Sequence, residues 1–553
     1  MPSRKRIHWL ILGVAALLFI PGLGAVHLFD WDEINFAEIA REMVVTGDWL
    51  RPQIAFTPFY EKPPLFMWLQ AACMSVLGTN EFAARLPNAL CGMLTLLLLF
   101  RIGDQLRGRV FGALWALAYG GSILPHLYFR SGIIDPWFNL FIFLGLHAII
   151  MLVQRDPARQ KGALNARSDK YAWLAGAFLG LAVLTKGPVG MLIPGLVMGA
   201  YWVMRRFRPY LRWRRIGIIV LASLIAIVAW AGVDLLRNGP DFMIAFFWRQ
   251  VAMLTTEDAG HGGFFGYHFV VLLIGCFPAS VFALHELVRP VRIGSNDQLD
   301  HRRWMVILFW VVLILFSVVK TKIVHYSSLC YFPLTYLAAL RLEHLWKRRQ
   351  AFGWSRYMLG VIGTLMAAVC ILLPIAGMHP QWIEPLFAND AFARANLEAE
   401  VRWTGLEMLA GLVLLTTMAA AHSLHGKGKF RQALLTVFGG GALFVTTTLF
   451  FFANRIEGYS QRAAVEFFEA RQGERCAVIT ERYKSYAHLY YTRMEPPDDP
   501  RVHDREWLLH GDVDRPVYVV CKITTAEETA AIPTLRELYR KNGFVFFVRQ
   551  PAK

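Results

Sequence analysis

The chain has 553 residues, of which 56% are hydrophobic and 18% are charged, and its formal net charge is +17. Apolar runs of roughly 20 residues, long enough to cross a bilayer, recur to about residue 453, so the composition excludes a soluble protein. The Lys and Arg residues cluster in short segments between these runs. This positive-inside pattern accounts for the charge without nucleic-acid binding, and we predict a polytopic α-helical membrane protein.

The N-terminal segment predicts a retained transmembrane helix. An apolar run from Ile7 to Leu28 follows Arg4, Lys5 and Arg6, but no small-residue cleavage site of a signal peptide comes after it. Assigning the basic loops to the cytoplasm places the N-terminus inside and gives about thirteen transmembrane helices. An odd number of helices then puts the C-terminal tail on the outer side.

Residues 29–81 form the first outer loop and begin with the acidic stretch FDWDEINFAEIAREM. Two parts of the loop, FAEIAREMVV and PPLFMWLQAACMSVLG, have apolar residues at helical spacing and predict juxtamembrane helices in the membrane interface. The stretch GDWLRPQIAFTPFYEKPP joins them, and its glycine and prolines end both helices.

The tail from about residue 458 lacks long apolar runs and predicts a small soluble α/β domain. The segments CAVIT, VYVVCK and GFVFFVRQ predict strands, whereas RAAVEFFEAR and AAIPTLRELYRK predict amphipathic helices. We therefore divide the chain into a membrane domain, 1–457, and a tail domain, 458–553. Cys476 and Cys521 are the only cysteines of the tail, and we favour two free thiols over a disulfide.

Ionisable residues at membrane depth are costly and usually mark functional sites. The predicted topology places the following on the outer side: Asp32, Glu33, Glu61, Lys62, Asp135, Lys186, Arg249, His261, Lys320, Lys322, His325 and Tyr326. The cations suit a phosphate group, and a neighbouring carboxylate suits a general base toward a hydroxyl acceptor. The combination favours an enzyme that breaks a bond to a lipid phosphate.

Each residue also has a structural interpretation. Asp32 and Glu33 are placed to cap a helix that begins at about Ile34. Glu61 and Lys62 can form a surface ion pair, Lys186 and Arg249 can extend to the interface, and His261 can be an ordinary loop residue. These alternatives stay open from spacing alone.

One long motif resembles a known family. The stretch DEINFAEIAREMVVTGDWLRPQIAFTPFYEKPP resembles the first outer loop of bacterial transferases that attach 4-amino-4-deoxy-L-arabinose to lipid A. More broadly it resembles the protein O-mannosyltransferase superfamily, which has the C-type glycosyltransferase fold. The segment around Asp135, LTKGPVGMLIPG, FFWRQ and KTKIVHYSSLCYFPL follow in the family's order.

The resemblance implies a bacterial inner-membrane enzyme with its tail in the periplasm, which moves a sugar from undecaprenyl phosphate to an acceptor by an inverting single displacement. It implies that Asp32 and Glu33 are catalytic residues, with Asp32 as the base. The implied phosphate-binding residues are Lys62, Arg249 and Tyr326, supported by Lys186, Lys320 and Lys322. The implied cavity residues are Tyr60, Glu61, Asp135, His261 and His325.

The motif also departs from the family, because Ile34, Asn35 and Phe36 stand where Thr, Arg and Tyr are typical. The sugar therefore stays open, as does the acceptor, which is lipid A, another envelope glycan or a protein. Glu61 and Asp135 suit a divalent cation, but no spacing motif specifies a metal or cofactor. A lipid or sugar transporter and a non-catalytic envelope scaffold are the alternative functions, and membrane lipids are the only further partners expected.

Overall fold

The structure is a computed structural model that describes residues 3–155, 166–255, 262–291 and 294–551. The part before the tail is almost entirely helical, apart from the short hairpin β1–β2 in the first loop. Its helices are α1 (Arg4–Phe19), α2 (Asp32–Thr46), α3 (Leu65–Leu77), α4 (Glu81–Arg107), α5 (Arg109–Gly120), α6 (Ile123–Leu127), α7 (Asp135–Gln154), α8 (Ala166–Lys186), α9 (Val189–Met204), α10 (Trp213–Asn238), α11 (Asp241–Thr255), α12 (Tyr267–Gly275), α13 (Ala279–Val288), α14 (Asn296–Val318), α15 (Tyr331–Arg348), α16 (Ser355–Met378), α17 (Ala391–Asn396), α18 (Met408–Gly426) and α19 (Phe430–Ser460). The hairpin strands are β1 (Gln53–Ile54) and β2 (Thr57–Pro58).

Within the described residues, 7 helices are long and apolar enough to cross a membrane, or up to 9 when each bent pair counts as one span. The single helices are α4, α7, α10, α14, α16, α18 and α19. The bent pairs are α5 with α6 and its following turn, at 80°, and α12 with α13, at 119°. The protein is thus a multi-pass membrane protein. The expected number of about thirteen is larger because it includes shorter apolar helices such as α1 and α9, each of 16 residues.

Helix α2 begins at Asp32 and ends at Gly47, whose φ of +72° lies in the left-handed region that favours glycine. Every residue from Glu33 to Met43 is buried, because α3 packs on one side and the tail helix at residues 487–492 packs on another. The predicted polar face of this helix is therefore enclosed by protein. Its charges are paired inside, as the bidentate contact of Arg41 with Glu38 shows, with both N···O distances 2.7 Å.

The tail contains a four-stranded sheet with the order β3-β4-β6-β5, in which only the β3–β4 pair is parallel. Its strands are β3 (Ala477–Glu481), β4 (Val517–Lys522), β5 (Arg536–Lys541) and β6 (Phe544–Arg549), and its helices are α20 (Arg462–Glu469), α21 (Ala487–Thr492), α22 (Arg505–His510) and α23 (Ala526–Ala530). Helix α20 covers one face, where Phe467 stacks on Phe546 with ring centroids 4.4 Å apart.

The strands expected from CAVIT, VYVVCK and GFVFFVRQ are present as β3, β4 and β6, and RAAVEFFEAR forms helix α20. The helix expected over AAIPTLRELYRK is wrong, because its second half is strand β5. This strand lies at the edge of the sheet and is mostly exposed, so it carries charged residues without the apolar alternation of an inner strand. Cys476 and Cys521 are both free thiols.

The tail packs directly on the first outer loop. The hydroxyl of Tyr491 accepts a hydrogen bond from the backbone N–H of Leu28 at 2.7 Å, and Gln461 donates to the carbonyl of the same residue at 2.6 Å. Apolar side chains of α2, α3 and the tail form one buried cluster, which includes Ile34, Phe66 and Tyr490. The tail therefore restrains the acidic loop by direct hydrogen bonds and apolar contacts.

Candidate active site

Distant segments converge at the start of α2. Asp32 comes from α2, Asp135 is the first residue of α7, and Lys186 is the last residue of α8. Lys62 lies just before α3, and His325 lies in the 3-10 helix Val324–Cys330 that follows α14. Burial lowers the pKa of His325, and Asp135, Lys186, Asp32 and Lys62 are all near enough to shift it further in one direction or the other. These residues therefore form one ionisable cluster.

Asp32 presents its carboxylate to this cluster. Its side chain is 32% exposed, and its Oδ2 atom lies 3.6 Å from Nε2 of His325. The N-cap of α2 is Trp31, and no side chain caps the helix by a hydrogen bond. Asp32 is therefore accessible to a substrate, and the capping interpretation does not describe its position.

Glu33 has a different position from the one implied by the resemblance. Both of its carboxylate oxygens accept hydrogen bonds from Arg85, at 3.0 and 2.8 Å, and the backbone N–H groups of Phe29 and Gly132 also donate to it. Burial would raise the pKa of Glu33, but the charge and hydrogen bonds of Arg85 hold it below its usual value. Its carboxylate oxygens already accept four hydrogen bonds within the fold. We therefore correct its assignment from a catalytic to a positioning residue.

Two further carboxylates of the site are paired with cations. Lys186 donates to Oδ1 of Asp135 at 2.7 Å, and this aspartate is buried, with no hydrogen-bond partner for Oδ2 in the described part of the chain. Arg249 donates to Oε1 of Glu61 at 2.6 Å, and Gln250 donates to the Glu61 carbonyl at 3.0 Å. These pairs hold the start of α7 against the end of α8, and the middle of α11 against the loop that precedes α3.

Lys62 differs from these cations. No ion pair or hydrogen bond of its ammonium group occurs among the described residues, although Glu61, Asp32 and Asp135 lie near enough to affect its pKa. Burial and then repulsion from Lys186 lower the pKa of Lys62, and the three carboxylates only oppose this shift. A partly desolvated ammonium group with no carboxylate partner among the described residues is suited to bind a phosphate.

The structure separates other predicted residues from this cluster or gives them other contacts. The ammonium group of Lys322 donates to the carbonyls of Phe316, Ser317 and Val319, so it caps the end of α14. The side chain of Lys320 is exposed. The ring of Tyr60 packs on the ring of Phe242, with centroids 5.2 Å apart. The ring of Tyr326 lies 5.8 Å from Nζ of Lys186, close to the cluster. His261 lies outside the described residues.

Sequence reasoning missed residues that hold or border the site. Arg85 lies in the first turns of α4 and is buried. In the sequence, an arginine that closely follows the acidic loop was the available signal of a partner for one of its carboxylates. Gln250 follows Arg249 in FFWRQ and was overlooked because it has no charge. Tyr486 belongs to the tail, yet its pKa, raised chiefly by burial, is raised further by the charges of Glu61 and Asp30. No local pattern in the tail indicated that this tyrosine faces the site.

Glu61 and Asp135 do not form one shared set of metal ligands, because each carboxylate accepts a hydrogen bond from a different cation. In the part of the chain that the structure describes, no group of three or more His, Cys, Asp or Glu residues is arranged to hold a metal ion.

Comparison with known proteins places these observations in a family. Residues 61–233 match the dolichyl-phosphate-mannose-protein mannosyltransferase family. The chain is 29% identical over 384 residues to a protein of Aeromonas salmonicida, covering 68% of this chain and 67% of that one. It is 26% identical over 584 residues to a protein of Pseudomonas aeruginosa, covering 99% of both. Both relatives are named undecaprenyl phosphate-alpha-4-amino-4-deoxy-L-arabinose arabinosyl transferase.

The fold has a close counterpart among solved structures. The crystal structure of ArnT from Cupriavidus metallidurans, bound to undecaprenyl phosphate, matches with a TM-score of 0.77 and 21% identity, covering 99% of this chain and 98% of that chain. The match includes the tail, since nearly the whole of both chains is covered. Taken together, the family match and the relatives support a place for the chain in the superfamily of the 4-amino-4-deoxy-L-arabinose transferases and the protein mannosyltransferases, and the solved structure shows the same fold.

Proposed function

We propose that this protein transfers a sugar from an undecaprenyl-phosphate carrier to lipid A or a related envelope acceptor at the periplasmic face of the bacterial inner membrane. The observation that carries the proposal is the partly exposed carboxylate of Asp32 in the same ionisable cluster as Lys62, which has no ion pair among the described residues. A translocation path does not require an accessible carboxylate in one cluster with an ammonium group, whereas a displacement on a sugar phosphate requires both a proton acceptor and a phosphate site.

In the proposed reaction, an acceptor oxygen attacks the anomeric carbon of the sugar as the bond from that carbon to the phosphate oxygen breaks. Asp32 takes the proton of an attacking hydroxyl, and His325 beside it orients its carboxylate. Lys62 and Arg249 stabilise the charge that develops on the departing lipid phosphate, with Lys186 and Tyr326 at the edge of the same pocket. A single displacement of this kind inverts the anomeric configuration.

The orientation in the membrane belongs to the same proposal. Basic loops support a cytoplasmic N-terminus, about thirteen membrane segments including the short helices, and a periplasmic tail that begins near residue 458. Reporter fusions after the N-terminal helix and at the C-terminus would test it. Periplasmic activity of both fusions is expected, and cytoplasmic activity of the C-terminal fusion would contradict the topology.

The test of function is mass spectrometry of lipid A and total envelope glycolipid from cells with the wild-type chain, without it, or with Asp32→Asn. A sugar-sized mass increase that disappears in the Asn variant is expected, because the amide cannot accept the proton, with a loss of roughly 10²–10⁴-fold in rate. Glu33→Gln is the matched control, since it changes the neighbouring carboxylate and should act through reduced stability. Near-full transfer by Asp32→Asn would show that the assigned base is wrong.

A further inference from the structure

The tail contributes residues next to the reacting carboxylate. The segment 482–486 joins β3 to α21 and contacts Trp31, the residue that immediately precedes Asp32. The rings of Trp31 and Tyr486 have centroids 5.6 Å apart, and Nζ of Lys484 lies 4.7 Å from the Trp31 ring centroid. Trp31 is 38% exposed. The surface formed by Trp31, Tyr486 and Lys484 is therefore open to solvent and can receive a ligand.

The position of Trp31 is fixed by a residue in which this chain departs from its family. With its side-chain amide oriented to satisfy its contacts, Asn35 accepts a hydrogen bond from the Trp31 indole N–H at 3.0 Å and donates to the Trp31 carbonyl at the same distance. The motif typically has arginine at this position. Asn35 does not supply the guanidinium donors of that arginine, and its amide holds Trp31 in place.

Lys484 carries a charge that no carboxylate neutralises. Within residues 294–551 and the other described ranges, no ion pair of Lys484 occurs, and its contacts are the rings of Trp31 and Tyr486. Lys522, in the same domain, likewise lies over aromatic rings, 4.6 Å from Phe392 and 5.5 Å from Tyr483. A lysine held by ring faces keeps its charge available to an anion.

Two other basic residues of the tail form ion pairs with carboxylates. Arg505 contacts Glu481 at 2.6 Å, and Lys541 contacts Glu466 at 2.7 Å. The unpaired lysines are instead on the side of the acidic loop. Burial raises the pKa of the Asp30 carboxyl to about 6, and the nearby charge of Lys522 opposes that rise. Tyr486 in turn lies close enough to Asp30 and Glu61 to respond to both charges.

We propose that Lys484, supported by Lys522 and the Trp31–Tyr486 rings, is the acceptor subsite and binds a phosphate group of an anionic glycolipid. The inference rests on the proposed function and deepens it, because Lys62 and Arg249 serve the donor phosphate and a second anion needs its own cations. Binding here places the acceptor against Trp31, the residue that immediately precedes Asp32. Lys484 is a specificity-determining residue in this assignment, and it takes no part in the displacement itself.

The first experiment measures acceptor binding without donor. Full-length protein in lipid nanodiscs is titrated with purified lipid A, with the same lipid after phosphatase treatment, and with inorganic phosphate as competitor. The wild type should prefer the phosphorylated lipid, and Lys484→Ala should weaken its binding about tenfold while leaving the dephosphorylated lipid unaffected. Lys484→Arg should restore the preference. Lys541→Ala is the matched control, because it removes the same charge from a paired and exposed lysine of the same domain.

The second measurement is steady-state transfer by the same variants. Lys484→Ala should raise the acceptor KM about tenfold, with kcat and the donor KM within about twofold of wild type. Equal effects of Lys484→Ala and Lys541→Ala would overturn the subsite, as would a change in donor KM or equal weakening for both lipid forms. Competition by inorganic phosphate alone, without preference between lipids, would show a free-phosphate site and also overturn it. Failure of the proposed function is distinct, since wild-type protein would then show no transfer.

Discussion

Two adjacent carboxylates in the motif have opposite environments. Asp32 is partly exposed beside His325, whereas Glu33 is buried and fully hydrogen-bonded to Arg85 and backbone N–H groups. The difference follows from helical geometry, because consecutive residues on α2 point about 100° apart. One side chain therefore faces His325 and the other faces α4. Of the two adjacent acidic residues, Asp32 is thus the proposed reactive group, and Glu33 anchors the start of α2 to Arg85.

Lys62 offers a pH-dependent test at the scale of a single residue. Its pKa lies below the usual lysine value because of burial and repulsion from Lys186, so its ammonium group loses its proton at lower pH than a surface lysine. Binding of the donor phosphate needs the charged form. We therefore expect donor affinity to fall as the pH rises through the lowered pKa.

Lys62→Arg is the informative variant, because guanidinium stays protonated across this range. It should extend the alkaline limb of the profile of kcat/KM for the donor to higher pH, whereas Lys62→Met should lower kcat/KM by roughly 10²-fold or more at every pH. The profile is measured between pH 6 and about 10 with the donor varied at saturating acceptor. An unchanged alkaline limb in Lys62→Arg would contradict the assignment of Lys62.

At the scale of the element, α2 contains a buried acidic pair that the chemistry does not use. Arg41 is bidentate to Glu38, and Glu42 accepts a hydrogen bond from the backbone N–H of Phe56 at 2.8 Å. Burial, and then the charge of Glu38, raise the pKa of Glu42 to about 9. The folded protein thus binds this proton more tightly than the unfolded chain does. Stability from this group is complete in acid and decreases as pH rises from about 4.5 toward 9.

Glu42→Gln should remove this pH dependence, because the amide is neutral at every pH and can still donate to Glu38. The melting temperature of the variant in detergent should change less between pH 5 and about 8.5 than that of the wild type, and should be higher at the alkaline end. Glu38→Gln is the contrasting variant. It leaves Arg41 buried without its partner, which costs roughly 3–5 kcal/mol. A wild-type melting curve that is flat with pH would contradict a protonated Glu42.

The sequence predicted α2 and its acidic start well, because the motif combines helical spacing with carboxylates at one end. It could not assign Glu33, because the partner Arg85 lies 52 residues away and is brought there by the packing of α4. Strand β5 was mistaken for a helix because an exposed edge strand lacks the alternation that identifies strands. Residues such as Asp135 and Lys186 were grouped by predicted side of the membrane, but their 2.7 Å contact depends on how α7 packs on α8.

At the scale of the whole molecule, the tail and the membrane domain share the site. Helix α2 is buried between α3 and the tail, and the chain just before it is fixed by tail residues. His27 also contacts Glu457 at 2.9 Å, at the C-terminal end of α19. The position of Asp32 therefore depends on groups at both ends of the chain. If Asp32 is the proposed base, we expect the tail to contribute to activity by fixing the position of this carboxylate, without supplying a reacting group itself.

Tyr491→Phe tests this dependence with the loss of one oxygen atom. The variant leaves the buried N–H of Leu28 without its acceptor, which costs roughly 1–3 kcal/mol, and the chain that leads into Asp32 should become less ordered. Hydrogen exchange of residues 28–33 should accelerate about 5- to 150-fold, and kcat should fall with it. Tyr518→Phe is the matched control, because its hydroxyl only donates to Glu474 at the exposed surface of the same domain. Faster exchange in Tyr491→Phe with unchanged kcat would mean that the geometry of Asp32 is fixed by the membrane helices alone, because the tail contact would then order the loop without affecting the reaction.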